Sequence, residues 1–89
     1  MNDYAQWDRN RDRVHQYIRK TMDLHSRLRA MSGATRNQKQ RREQVRAELA
    51  SRLERILLNV KKWPAWHCEG IGFIEADPHR FSEMFNDAG

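Results

Sequence analysis

The chain has 89 residues, with 17 Lys and Arg against 12 Asp and Glu, a formal net charge of +5 and a hydrophobic fraction of 38%. A chain of this length forms at most one domain, taken as residues 1–89. So little apolar material is expected to enclose a core but not a deep substrate pocket as well. We therefore expect a protein that is not an enzyme, with no small-molecule substrate, no cofactor and no metal.

The compartment is predicted from what the sequence lacks. The longest apolar run is Ile56-Leu57-Leu58, far below the roughly 18 residues of a membrane-spanning helix. No basic segment followed by an apolar one marks a secretory signal at the N-terminus. The single cysteine, Cys68, cannot form an internal disulfide. A reduced, cytoplasmic protein without membrane association is expected.

Residues 4–31 are predicted to form a long helix. Asp3 and Gln6 have the spacing of a capping box, in which two side chains bond the free backbone N–H groups of a first turn. Gly33 suits the left-handed conformation that often ends a helix. Apolar or neutral residues recur every three or four positions, as expected for a buried helix face: Trp7, Val14, Tyr17, Ile18, Thr21, Leu24, Leu28 and Met31.

Residues 36–62 are predicted to form a second helix. Thr35 and Gln38 form another capping box, and Pro64 should end the helix at Trp63, because proline disfavours helical geometry in the residue before it. The apolar positions follow heptad spacing: Leu49, Leu53, Ile56, Val60 and Trp63, with Val45 and Leu57 broadening the face.

The link between the two helices is about four residues long, which predicts an antiparallel, coiled-coil-like hairpin over residues 4–62. Two acid-before-base pairs at i,i+4 spacing, Asp23–Arg27 and Glu48–Arg52, are expected to stabilise the helices by a few tenths of a kcal/mol each. Two helices alone bury too little apolar surface to fold stably. A third layer is therefore expected from the rest of the chain or from a second copy in a homodimer.

Residues 63–89, called the tail below, differ in composition from the rest. The tail carries one Arg and five Asp or Glu, whereas residues 1–62 carry 16 Lys and Arg against seven Asp and Glu. Gly70-Ile71-Gly72-Phe73-Ile74-Glu75 predicts a short strand or an extended hook. Asp77-Pro78 is typical of a helix start and predicts one short helix over 78–86. Phe81, Met84 and Phe85 fall on one face of it.

The strongest functional signal is a stretch from Leu24 to Arg42 that has cations but no acid. It contains the residues called the basic tip below: Arg27, Arg29, Arg36, Lys39, Arg41 and Arg42. Arg36, Arg41 and Arg42 precede the apolar row that begins at Val45, so they should be exposed. His25 would add charge at lower pH. A second set, the basic row, shares one side of the first helix: Arg9, Arg13, Lys20 and Arg27. Arginine matches phosphate and carboxylate geometry, so we expect an anionic partner.

Nucleic acid or a nucleoprotein is the favoured partner. No sequence motif for base recognition is present, so contact with the sugar-phosphate backbone is expected. An alternative is a small inhibitor, of the kind found in phages and mobile elements. It would bind an acidic host protein and block its nucleic-acid site or assembly, with Trp63 and Trp66 as anchors. Both tryptophans could instead fasten the tail to the hairpin. A coiled-coil adaptor is a further possibility.

A catalytic or metal site is the least favoured interpretation. His67, Cys68 and Glu69 are adjacent, and Asp77 and His79 follow nearby. Adjacent residues point in different directions, and the spacing matches no common zinc site. A minimal enzyme would have to use His67, Cys68 and His79 together.

Overall fold

The computed structural model describes the backbone of residues 3–89 and the side chains of residues 11–64 and 66–89. It contains the helices α1 (Asp3–Ala30), α2 (Arg36–Lys62), α3 (Pro64–Ala76) and α4 (Pro78–Ala88). No strand occurs in the described residues, and the predicted mainly α class is confirmed. The prediction of a strand or extended hook over residues 70–75 is wrong, because these residues belong to α3. The tail therefore holds two helices instead of one.

The helix ends follow local sequence signals in most places. Thr35 Oγ1 accepts from the backbone N–H of Gln38, and the side chain of Gln38 accepts from the backbone N–H of Thr35, as predicted. Asp77 accepts from Arg80 N at 3.2 Å and caps α4. Trp63 has extended backbone geometry before Pro64 and ends α2.

The end of α1 differs from the prediction, and the capping box predicted at its start lies outside the described side chains. The side chains of Asp3, Gln6 and Trp7 lie outside the described residues. The left-handed conformation predicted at Gly33 is wrong, since no described residue has a positive φ. The physical reason is that α1 already ends at Ala30. Gly33 is therefore too far along the chain to occupy the position that follows a helix end.

The core lies where α1, α2 and α4 meet. Its buried apolar residues are Val14, Ile18, Leu24, Leu28, Val45, Leu49, Leu53, Ile56, Phe81 and Met84. Most of the predicted helix faces are thus confirmed. The prediction is wrong for Leu57 and Phe85, which are 45% and 41% exposed, and for Trp63, which is 59% exposed. Trp63 leaves the heptad face because it is no longer helical.

The third layer of the fold comes from the tail. α3 and α4 each contact both α1 and α2, and partly buried Trp66, Phe73 and Ile74 pack against the core. Gly70 of α3 is buried, and a Cβ atom added there would lie 2.8 Å from Cγ2 of Val60. Glycine at this position therefore lets α3 approach α2 closely. Among the described residues, no helix has the length and apolar character that crossing a membrane requires.

Candidate anion-binding surface

The acidic tail binds one side of α1. Arg11 Nε donates a hydrogen bond to Glu69 Oε1, and His15 Nδ1 lies 3.4 Å from Glu69 Oε2. The Glu69 side chain is 14% exposed and pairs with Arg11 at the interface between α1 and α3. Farther along the same side of α1, Arg80 of α4 donates to the backbone oxygen of Met22 at 2.8 Å.

A charge cluster at the surface, built around the buried His25, joins the end of α1 to α4. The side chain of His25 is 3% exposed, and its Nε2 lies 2.7 Å from Asp87 Oδ2. Arg29 Nε donates to the same oxygen at 3.0 Å, and its Nη1 lies 3.2 Å from Glu83. Hydrogen bonds from His25 and Arg29 hold the pKa of Asp87 below its ordinary value, and the bond to Asp87 raises the pKa of Arg29. Asp87 was missed by sequence reasoning, because nothing local connects it to a residue 62 positions away.

The basic row lies on the opposite side of α1. Arg13, Lys20 and Arg27 are exposed and make no hydrogen bond or ion pair in the described part of the chain. Each is two positions from a residue that contacts the tail, which corresponds to a rotation of about 200° around the helix. The predicted Asp23–Arg27 pair is not formed. The side chain of Arg9 lies outside the described residues.

Tyr17 brings two further arginines to this side of the fold. The guanidinium of Arg52 lies 4.1 Å from the centre of the Tyr17 ring, and that of Arg55 lies 5.3 Å away. Arg52 also donates to Thr21 Oγ1 at 2.9 Å, so the predicted pair with Glu48 is wrong. Arg55 is exposed and extends the basic surface onto α2. Its spacing of fourteen from Arg41 places both arginines on one face of α2 and could have identified it from the sequence.

The basic tip is divided by the fold. Arg36, Lys39 and Arg41 are exposed and unpaired among the described residues, and the first turn of α2 contains no acid. Arg29 is paired with the tail, as described above. Arg42 is half-buried, and its Nε is shielded from solvent without a hydrogen-bond acceptor. The prediction that Arg42 is exposed is therefore wrong, because α4 ends against this part of α2.

The two tryptophans of the tail occupy different environments. Trp63 is exposed at the end of α2, where Leu57 and Leu58 are also exposed. Trp66 is half-buried, and its ring makes an edge contact with Tyr17 at 5.3 Å between centroids. Trp66 thus fastens α3 to α1, whereas Trp63 is available for contact with a partner.

The residues considered for catalysis or metal binding are dispersed. Glu69 is engaged by Arg11, and Asp77 caps α4. His67, Cys68 and His79 are exposed, and no group of three or more potential ligands in the described residues could hold a metal ion.

Comparison with known proteins finds no relative. No family model matches the chain, and neither a curated protein nor a solved structure resembles it significantly.

Proposed function

We propose that the protein is a non-catalytic binding protein that contacts the phosphate backbone of nucleic acid through the basic row and the exposed part of the basic tip. The observation that carries the proposal is the sorting of charge across α1. Tail carboxylates pair with Arg11 and Arg29 on one side. Arg13, Lys20 and Arg27 on the other side have no acidic partner among the described residues.

The position of the tip supports the same function. The positive end of the helix dipole lies at a helix N-terminus, where cations are destabilising and acids are favoured. Arg36, Lys39 and Arg41 nevertheless occupy the first two turns of α2. Folding gains nothing from this arrangement, whereas an approaching phosphate is attracted by both the cations and the helix end.

Binding is proposed to depend on charge and shape and not on base sequence. Contacts to phosphate position a protein on nucleic acid but carry no direct sequence information. Each neutralised phosphate releases condensed counterions, so affinity falls steeply as salt is added. Long helices with exposed arginines suit this type of contact along a backbone.

The test is fluorescence anisotropy with a labelled duplex of arbitrary sequence at several salt concentrations. The variant Arg36→Glu/Arg41→Glu should bind at least about tenfold more weakly at low salt, and the slope of log affinity against log salt should become shallower by about two. The matched control is Arg19→Glu/Lys61→Glu, which changes net charge equally at exposed positions outside the basic row and tip. Equal loss in both double variants, or no loss in either, contradicts the proposal.

A protein-directed inhibitor is the second candidate function, and the exposure of Trp63, Leu57 and Leu58 favours it. Exposed aromatic and aliphatic residues in one region are typical of protein interfaces. In that case Trp63→Ala should weaken capture of the partner with little dependence on salt, whereas Arg36→Glu/Arg41→Glu should act mainly on the association rate.

We also propose that α1 and α2 form an antiparallel, coiled-coil-like hairpin. Arg52, late in α2, bonds Tyr17 and Thr21 in the middle of α1, while Arg42, early in α2, lies near Gly33, just after α1 ends. A homodimer through the exposed leucines would double the basic surface. Light scattering at tens of micromolar tests this, and a mass of 10.7 kDa excludes the dimer at that concentration.

A further inference from the structure

A cavity of about 700 Å³ opens where the end of α1, the second and third turns of α2 and the end of α4 meet. Three arginines line it, Arg29 from α1 and Arg42 and Arg46 from α2, together with the carboxylates of Glu43 and Asp87. Leu28 and Ala88 are its apolar side chains among the described residues. Its volume falls in the range of sites that bind small molecules, but its walls are too polar for an apolar ligand.

The two carboxylates each engage a different arginine. Glu43 Oε1 accepts from Arg46 Nη1 at 2.6 Å, and Asp87 Oδ2 accepts from Arg29 Nε at 3.0 Å. Arg42 has no hydrogen-bond or ion-pair partner among the described residues. The cavity therefore contains one guanidinium that the protein itself leaves without a counterion.

Two donors beside the cavity are also unsatisfied. The Nε atoms of Arg42 and Arg46 are shielded from solvent and have no acceptor in the described part of the chain. A shielded donor without an acceptor is unfavourable, and native proteins rarely keep one without a reason. An oxyanion in the cavity would supply the missing acceptors once the two arginine side chains turn these N–H groups toward it.

We propose that this cavity binds a phosphate group. A guanidinium presents parallel N–H donors that match two oxygens of a phosphate, and three arginines around one space can serve several phosphate oxygens at once. Arg42 would make the principal contact, because Arg29 and Arg46 already have carboxylate partners. The phosphate is either free inorganic phosphate or the terminal phosphate of a nucleic-acid strand.

This site is separate from the surface of the proposed function. It shares no residue with the cations that were left exposed and unpaired, which are Arg13, Lys20, Arg27, Arg36, Lys39 and Arg41. A phosphate site can therefore exist without duplex binding, and duplex binding without a phosphate site. A purely structural role is the competing explanation, in which Arg42 and Arg46 only neutralise the carbonyl groups at the end of α4.

The experiment is a calorimetric titration of the full chain with inorganic phosphate in a chloride buffer of constant ionic strength. Wild-type protein should bind phosphate with a dissociation constant in about the millimolar range or tighter. Arg42→Gln should weaken phosphate binding at least about tenfold. Arg42→Lys keeps the charge but loses the planar donors, so its phosphate affinity should lie between those of wild type and Arg42→Gln. The matched control Arg19→Gln removes an exposed arginine of α1 that does not line the cavity, and it should bind phosphate like wild type.

Circular dichroism and thermal unfolding accompany each titration. If Arg42→Gln fails to fold, Arg46→Gln and Arg42→Lys carry the test. The structural explanation predicts lower thermal stability in Arg42→Gln with no phosphate saturation in wild type, and that result overturns the proposal. Equal phosphate affinity in wild type, Arg42→Gln and Arg46→Gln also overturns it.

The source of the phosphate is distinguished by anisotropy with a single-stranded oligonucleotide carrying either a 5′-phosphate or a 5′-hydroxyl. Preference for the phosphorylated strand that disappears in Arg42→Gln supports a strand terminus. Equal affinity for both strands, together with phosphate binding in the titration, supports free phosphate. Loss of duplex binding in Arg36→Glu/Arg41→Glu tests the proposed function only. It does not affect the interpretation of the phosphate titration or of the comparison between the two strands.

Discussion

Two glycines of α3 provide a matched test of how the tail packs. Both have ordinary helical backbone, since no described glycine has a positive φ. A Cβ at Gly70 would lie 2.8 Å from Val60 Cγ2, whereas a Cβ at Gly72 would have no atom within 4 Å among the described residues. Valine in a helix is largely restricted to one side-chain rotamer, so its methyl group cannot turn away cheaply.

The two substitutions should therefore have opposite effects on stability. Gly72→Ala gains helix propensity and should raise the free energy of unfolding by about 0.5–1 kcal/mol. Gly70→Ala gains the same propensity but forces α3 away from α2, at an overpacking cost of about 1–3 kcal/mol. The net effect of Gly70→Ala should be destabilising, with a fall in the melting temperature of roughly 4–8 °C per kcal/mol.

The assay is urea unfolding followed by far-UV circular dichroism, repeated in a Val60→Ala background. Removing the Val60 methyl groups should abolish most of the cost of Gly70→Ala while leaving the gain from Gly72→Ala unchanged. If Gly70→Ala stabilises the protein as much as Gly72→Ala, the close approach of α3 to α2 is refuted. The close approach is also refuted if Gly70→Ala lowers stability by the same amount in the Val60→Ala background as in wild type.

The charge cluster, the helix cap, the core and the basic row can each be tested by substitution. The pKa of Asp87 is lowered by hydrogen bonds from His25 and Arg29, so the native state binds fewer protons than the unfolded state. The carboxylate therefore stabilises the fold above the ordinary aspartate pKa of about 3.9, and this stabilisation is lost as pH falls through the lower native pKa. Asp87→Asn should make the free energy of unfolding fall less steeply as pH is lowered in this range. An unchanged pH dependence contradicts the bonds from His25 and Arg29 to Asp87. Thr35→Ala removes the Oγ1 acceptor of the Gln38 N–H and should cost about 1 kcal/mol in urea unfolding, while Ser51→Ala at an exposed helical position should cost nothing. Leu49→Ala should cost about 2–5 kcal/mol because Leu49 is fully buried, whereas Leu58→Ala, at 55% exposure, should change stability by less than about 0.5 kcal/mol; similar losses would show that the exposed leucines are covered in solution. Asp23→Asn removes an exposed, unpaired acid beside Lys20 and Arg27 and should raise duplex affinity at low salt, and lower affinity in anisotropy argues against contact along the basic row.

The sequence by itself determined the features that depend on neighbouring residues. The two long helices, the capping box at Thr35, the end of α2 before Pro64 and the cap at Asp77 all arise from interactions within a few positions. The repeated apolar spacing in α1 and α2 likewise predicted most of the core, because residues three and four apart share a helix face. The unpaired cations Arg36, Lys39 and Arg41 were found in the same way, from an acid-free stretch of sequence.

Only the tertiary structure decided the conformation of residues 64–76 and the distribution of charge. Gly70 and Gly72 weaken local helix propensity, so the sequence favoured an extended segment; packing of α3 against α1 and α2 outweighs that preference. Arg27 and Arg29 both lie in the acid-free stretch at the end of α1, so the sequence does not distinguish them. In the fold, Arg29 is neutralised by Glu83 and Asp87, whereas Arg27 makes no ion pair in the described residues. The pairs Arg11–Glu69 and Arg29–Asp87 join residues 58 positions apart. No local pattern encodes such contacts, because they exist only after the tail has folded back onto α1.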